Sequence, residues 1–239
     1  MTLLAFLDAF SGAIEFIFNQ RESVTAGAEV GGLSQIGELT LDHLEVSALA
    51  LAGSLVVAMP IGVWLGHRGR GELLAVAIGN AGRAIPELAL IAFMVAFVGI
   101  GLLNVTIALL ILGIPPILTN SFVAIRQVDR DAVEAARGMG MSEAGIVARV
   151  ELPLAVPTLM TGVRTAAINI VATATIAPLA GVVTLGDLIL SRNVYGDEGV
   201  LAGAILVALL ALIIELTLAG VQRLLTPRGV RLQREPASA

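Results

Sequence analysis

Residues 46–66 read VSALALAGSLVVAMPIGVWLG, 21 residues without a charge, with Pro60 inside and Arg68 and Arg70 just beyond. As a helix rising 1.5 Å per residue, such a run covers about 30 Å, the hydrocarbon thickness of a bilayer. It predicts a membrane-crossing helix. The whole composition points the same way: of 239 residues 57% are apolar and 14% charged, with a mean hydropathy of +0.94. That balance lies outside the range of soluble globular domains.

Working outward, four further segments have spanning length. Residues of about 73–98 are apolar apart from Asn80, Arg83 and Glu87, and Pro86 is expected to kink or break the helix, because proline removes a backbone donor and clashes with the preceding turn. Residues of about 102–125 carry no charge, and Pro115 with Pro116 is expected to interrupt the helix there. A fourth span occupies about 155–186, uncharged from Thr165 on, and a fifth about 200–221, polar at Glu215 and Thr217. The reading is an all-α integral membrane fold with five spans in a domain of 46–222.

Arginine supplies all 14 positive charges, and its placement gives orientation. Arg68 and Arg70 follow the first span; Arg126, Arg130, Arg137 and Arg149 lie between the third and fourth; Arg223, Arg228, Arg231 and Arg234 follow the fifth. The positive-inside rule makes these segments cytoplasmic, so an odd span count puts the N-terminus outside a bacterial cell (inner) membrane and the C-terminus inside. Residues 21–45 then form an acidic external segment, rich in Glu22, Glu29, Glu38, Asp42 and Glu45, and 223–239 a cytoplasmic tail. Residues 1–20 read as an amphipathic interfacial helix. Asp8, Ser11, Glu15 and Asn19 recur at helical spacing on an otherwise apolar cylinder, and the stretch lacks the basic start and small-residue cleavage site of a signal peptide.

The inner loop 126–153 carries the most specific pattern. Glu134-Ala135-Ala136 is followed by three residues, Gly140, nine residues, and Val150-Glu151-Leu152-Pro153. Asp129 and Asp131 favour the start of one short helix, Gly138 and Gly140 its end; Ser142 can cap a second helix, and Pro153 is expected to limit it. Ala135 and Ala136 are small enough for another protein surface to approach closely, with Glu134 and the nearby arginines at the edge.

The spacing of this loop resembles the EAA loop of ABC importer permeases, with Val150 where isoleucine is usual. The runs HLEVSALALAGSLVVAMPIGVWLG, RAIPELALIAF, EAARGMGMS and RTAAINIVATATIAPLAG extend the resemblance over about 43–220. They are similar to the permeases for glycine betaine, choline and carnitine (the ProW/ProZ type, of MetI-like fold). The resemblance implies a cytoplasmic coupling-helix loop that docks on an ATPase through Glu134, Ala135, Ala136, Arg137, Gly138, Gly140, Met141, Leu152 and Pro153. It also implies a second permease subunit, identical or paralogous, two nucleotide-binding ATPase subunits that hold ATP and Mg²⁺, and an external substrate-binding protein. A permease for methionine or polar amino acids is the alternative; it shares fold and loop but matches the flanking runs less well.

No GxxxxGK[ST] phosphate loop occurs in the sequence, so ATP is expected on another chain. There is no cysteine, and His43 and His67 are far apart in sequence, so neither a metal site nor another cofactor is expected on this chain. A net charge of −5 gives no reason to expect nucleic acid. Intramembrane polar groups mark a candidate translocation path or gate: Asn80, Arg83, Glu87, Asn120, Asn169 and Thr173, with Arg83 and Glu87 spaced to pair along one helix face. The same groups could equally be braces or interhelical glue. Glu215 reads as a hydrogen-bond partner for a neighbouring helix and Arg164 as a residue snorkelling to the headgroups. An ion-coupled secondary transporter would show internal repeats and an acidic cluster in its spans, and neither is found. A membrane enzyme would need a catalytic set that the sequence lacks, and a channel has no need of the EAA loop.

Overall fold

A computed structural model describes residues 3–25 and 27–230, without the side chains of residues 3–6 and of Arg83. Arg231, Arg234 and the rest of 231–239 lie outside the described residues. In chain order the elements are α1 (Leu3–Phe18), β1 (Gln20–Glu22), β2 (Glu29–Gly31), α2 (Gly32–Arg68), α3 (Glu72–Ala84), α4 (Glu87–Val98), α5 (Leu102–Arg126), α6 (Arg130–Gly138) and α7 (Glu143–Ile146). A π-helical segment (Val147–Glu151) leads into α8 (Leu152–Thr173), and a 3₁₀ segment (Ala174–Ala180) precedes α9 (Gly186–Leu190) and α10 (Arg192–Leu225). By length and composition four helical stretches among the described residues can cross a membrane, or five if the bent pair Glu72–Gly82 and Glu87–Val98 is one span.

Several sequence expectations change in detail. α2 begins at Gly32, well before Val46, so the acidic segment 21–45 is a two-stranded antiparallel hairpin followed by helix. Ile36, Leu39, His43, Val46 and Ala50 are all buried at three- and four-residue spacing, one continuous stripe that carries the helix through the acidic stretch. Pro86 does break its helix, with Ile85 and Pro86 both extended. Arg83 in α3 and Glu87 at the start of α4 therefore belong to separate helices. Pro115 and Pro116, in contrast, do not interrupt α5. Asn120 donates to the Pro116 carbonyl at 2.8 Å, and neighbouring helices meet the two prolines with glycines: a Cβ on Gly82 would lie 2.2 Å from the Pro115 ring, and one on Gly162 2.8 Å from the Pro116 oxygen. Pro153 does not limit the second loop helix either. The wider π turn just before it stands where a regular α-turn would set the ring against the carbonyl four residues back, and the chain continues into α8.

The chain divides into two compact units. The first comprises Met1–Leu51, Pro86–Leu110 and Asn169–Ile213. Here α1 buries Ala13 and Phe16 while Leu7, Phe10, Ile14 and Phe18 form an exposed apolar stripe. Phe16 meets Tyr195 edge-on at 6.3 Å. His43 Nε2 lies 3.0 Å from the Val171 carbonyl; a carbonyl only accepts, so that nitrogen carries the hydrogen.

The second unit comprises Ala52–Ile85, Ile111–Ile168 and Ile214–Ala239. Gly62 and Gly66 of α2 press on the α5 backbone, where added Cβ atoms would stand 2.6 Å from the Leu118 oxygen and 2.8 Å from the Phe122 oxygen. This is a GxxxG approach of the kind membrane helices use to pack closely. α3 joins through Thr119, whose hydroxyl donates to the Ala75 carbonyl at 3.2 Å. Arg164 of α8 does not snorkel: it pairs with Glu215 of α10 and donates to Gln222 Oε1 at 2.7 Å, so the two helices are joined by charge.

Candidate coupling site

The loop between α5 and α8 is an ordered pair of short helices lying within the second unit. Asp129 opens α6 by accepting the Asp131 amide at 2.9 Å. α6 closes in a Schellman turn: Met141 donates to the Ala136 carbonyl at 3.2 Å, Gly140 to the Arg137 carbonyl at 3.0 Å, and Gly140 takes φ +82°, a conformation that favours glycine. Ser142 then caps α7, its hydroxyl accepting the Gly145 amide at 3.3 Å. Arg137 Nε and Nη2 donate to the two Glu143 oxygens, both at 2.9 Å, closing the hinge with a bidentate pair. The Glu143 bond is the main reason that the Arg137 guanidinium holds its proton more tightly than usual.

The two faces of α6 differ. Val133 and Ala136 are buried in a core with Ala124, Ile125 and Val128 of the α5 end, Ile146 of α7, and Ala155 and Leu159 of α8; Met141, Val150 and Leu152 pack on it. Glu134, Ala135, Arg137, Gly138 and Gly140 are exposed. This refines the sequence expectation for the Ala-Ala pair. Ala135 can meet another surface, whereas Ala136, 2% exposed, is small because α6 must sit down on its own chain. Met139, 78% exposed at the hinge, is an apolar contact that the EAA spacing does not single out.

A further set of residues was not legible. His67, at the end of α2, places Nδ1 2.8 Å from Glu151 Oε2 and Nε2 3.1 Å from Glu143 Oε2. Glu151 is 1% exposed. The partners lie 84 positions apart in sequence, and no local pattern announces the contact.

The expected path residues are distributed over both units. In the second unit Asn80 of α3 is exposed, and Asn120 of α5 turns back onto its own helix at the Pro116 carbonyl. In the first unit Glu87 and Asn169 are exposed, and Thr173 is buried at the end of α8. The Arg83 side chain lies outside the described residues. Among the described residues no group of three His, Cys, Asp or Glu side chains is placed to hold a metal ion.

Helices of spanning length carrying a compact loop of this build fit an integral membrane component. Residues 58–229, more than half of the chain, match the family described as "Binding-protein-dependent transport system inner membrane component", and the chain belongs to that family. It is 37% identical over 203 residues to the choline transport system permease protein OpuBB of Bacillus subtilis, covering 83% of this chain and 94% of the relative. It is 36% identical over 197 residues to the carnitine transport permease protein OpuCB of Listeria monocytogenes, covering 82% and 90%. To the osmoprotectant import permease protein OsmW of Salmonella typhimurium it is 32% identical over 205 residues, covering 82% and 94%. Among solved structures, the MetNI methionine ABC transporter in an inward-facing conformation superposes with a TM-score of 0.70 at 23% identity, over 82% of this chain and 98% of that one. That likeness concerns the fold alone.

Proposed function

We propose that this chain is the membrane subunit of an ATP-driven, binding-protein-dependent importer for quaternary-amine osmoprotectants such as choline, glycine betaine and carnitine. The named relatives support the substrate class. The loop 126–153 supports the coupling mechanism, because it offers Glu134, Ala135, Arg137, Gly138 and Met139 on an exposed edge while its other face is anchored in the chain's own core. ATP and Mg²⁺ belong to a pair of separate ATPase subunits, a loaded binding protein docks outside, and a second permease subunit completes the pathway. The N-terminus lies outside and the tail inside, as the arginine distribution requires. α1, with 16 residues and an exposed apolar stripe beside its polar one, lies in the outer interface. Asn80, Arg83, Glu87, Asn120, Asn169 and Thr173 are the path-lining candidates.

Competition uptake in cells carrying the whole assembly tests the reading. Choline, glycine betaine and carnitine are expected to compete with one another and methionine is not; competition by methionine alone would move the chain to an amino-acid importer. Glu134→Lys is expected to abolish uptake while the chain remains in the membrane, and wild-type stimulation of the ATPase in that variant would remove the loop from the mechanism.

A further inference from the structure

α5 and α8 are joined to the coupling loop by the chain itself, so a displaced loop pulls on both. α2 has no such covalent link. Its apolar contact with the loop core runs through Val63, and dispersion contacts of that kind are non-directional. The directional link is His67. It holds Glu151 at 2.8 Å on the π segment and Glu143 at 3.1 Å on α7, and Glu143 in turn holds Arg137 of α6. With the His67 side chain 13% exposed and that of Glu151 1%, the ring and the inner carboxylate are largely withdrawn from water. Losing one partner of such a buried pair leaves a charge uncompensated.

We propose that His67 is a positioning residue for energy coupling: by gripping Glu151 and Glu143 at once it transmits displacement of the loop to the first spanning helix. The proposal rests on the importer reading above and adds a third helix to the two that the loop moves covalently. A neutral imidazole has one N–H and donates to one carboxylate; only the doubly protonated ring donates to both. Beside the ring opens a cavity of about 480 Å³, lined also by Trp64, Arg68, Arg137, Glu143, Ala144 and Val147.

The test uses the assembled importer in proteoliposomes, with labelled choline, glycine betaine and carnitine as probes and uptake per ATP hydrolysed as the readout. His67→Gln and Glu151→Gln are each expected to lower that ratio by about tenfold, the upper part of the range for coupling residues, while the ATPase still copurifies and hydrolyses ATP. The double variant should fall no further than either single one. A wild-type ratio in His67→Gln, or losses that simply add in the double variant, overturns the proposal. If the wild-type assembly takes up none of the probes, the importer reading for these substrates is what fails. The grip is then decided on the full chain alone in nanodiscs, where Trp64, its one tryptophan, sits one turn from His67. Emission that departs from the wild type in Glu151→Gln as it does in His67→Gln supports the proposal; wild-type emission in both variants overturns it. The same fluorescence comparison decides the matter if a variant fails to assemble with the ATPase.

Discussion

Arg21 and His67 each fasten a peripheral element onto a long helix, under different conditions. Arg21, on β1 of the first unit, donates to the Tyr195 carbonyl at 2.7 Å, pairs with Glu198 at 3.0 Å and lies 4.8 Å over the Phe16 ring, so that α1, the hairpin and the start of α10 share one cation. Its side chain is about a third exposed, and an arginine keeps its charge throughout the physiological range. His67 is far less exposed, and its ring reaches two carboxylates at once. One fastening is a cation near water; the other is a ring largely withdrawn from it and shared between two acidic side chains.

The loop fastening is broken hardest from beneath. Ala136→Trp forces an indole into the core of Val133, Ile146 and Ala155, a cost of about 3 kcal/mol, and should lower the thermal midpoint of the purified chain and abolish ATPase copurification together. Ala135→Trp, on the exposed face, should leave the midpoint in place and weaken copurification alone. Equal behaviour of the two variants would mean that the faces of α6 are not distinct. Arg21→Ala comes next, with about 1–2 kcal/mol lost from the hydrogen bond and the ring contact, the exposed ion pair adding little. Hydrogen exchange should quicken in α1 and the hairpin and stay unchanged over 126–153; a change in both regions would undo the contrast.

The smallest effect sharpens the comparison from a partly buried carboxyl of the first unit. Burial pushes the Asp187 carboxyl up, against the Thr184 amide that donates to it at 3.3 Å. The folded state then binds this proton more tightly than the unfolded state, so its contribution falls as pH rises from the ordinary carboxylate value through the raised one. Asp187→Asn should therefore raise the midpoint slightly at neutral pH and not in acid. A midpoint difference that grows on acidification would reverse the assignment.

What could be read beforehand was whatever repeats locally. Charge-free runs marked the spans, and the Glu-Ala-Ala spacing marked a loop that does fold as two capped helices about Gly140. Even the early start of α2 was written in the spacing of Ile36, Leu39 and His43, hidden by the acidic residues on the other faces of the helix. Proline misled in proportion to its surroundings. Pro86, flanked by an extended Ile85, ends a helix, while Pro115 and Pro116 sit in one because Gly82 and Gly162 let neighbours close on them. That Ala136 faces the chain's own core could not be read, because smallness looks the same whether the neighbour is a partner or the chain itself. His67 was invisible as a contact: its partners come from another part of the sequence, and only the packing of α2 beside the loop brings them together.

Around α5 the glycines have a further consequence. Gly62 and Gly66 approach it from α2, Gly79 and Gly82 from α3, and Gly162 from α8, each with no room for even a methyl group. None of these positions has any chemistry to perform. Under random mutagenesis they should nevertheless trace a silent outline of α5, as intolerant of change as a reactive centre, because the helix has been machined to fit its neighbours without a gasket.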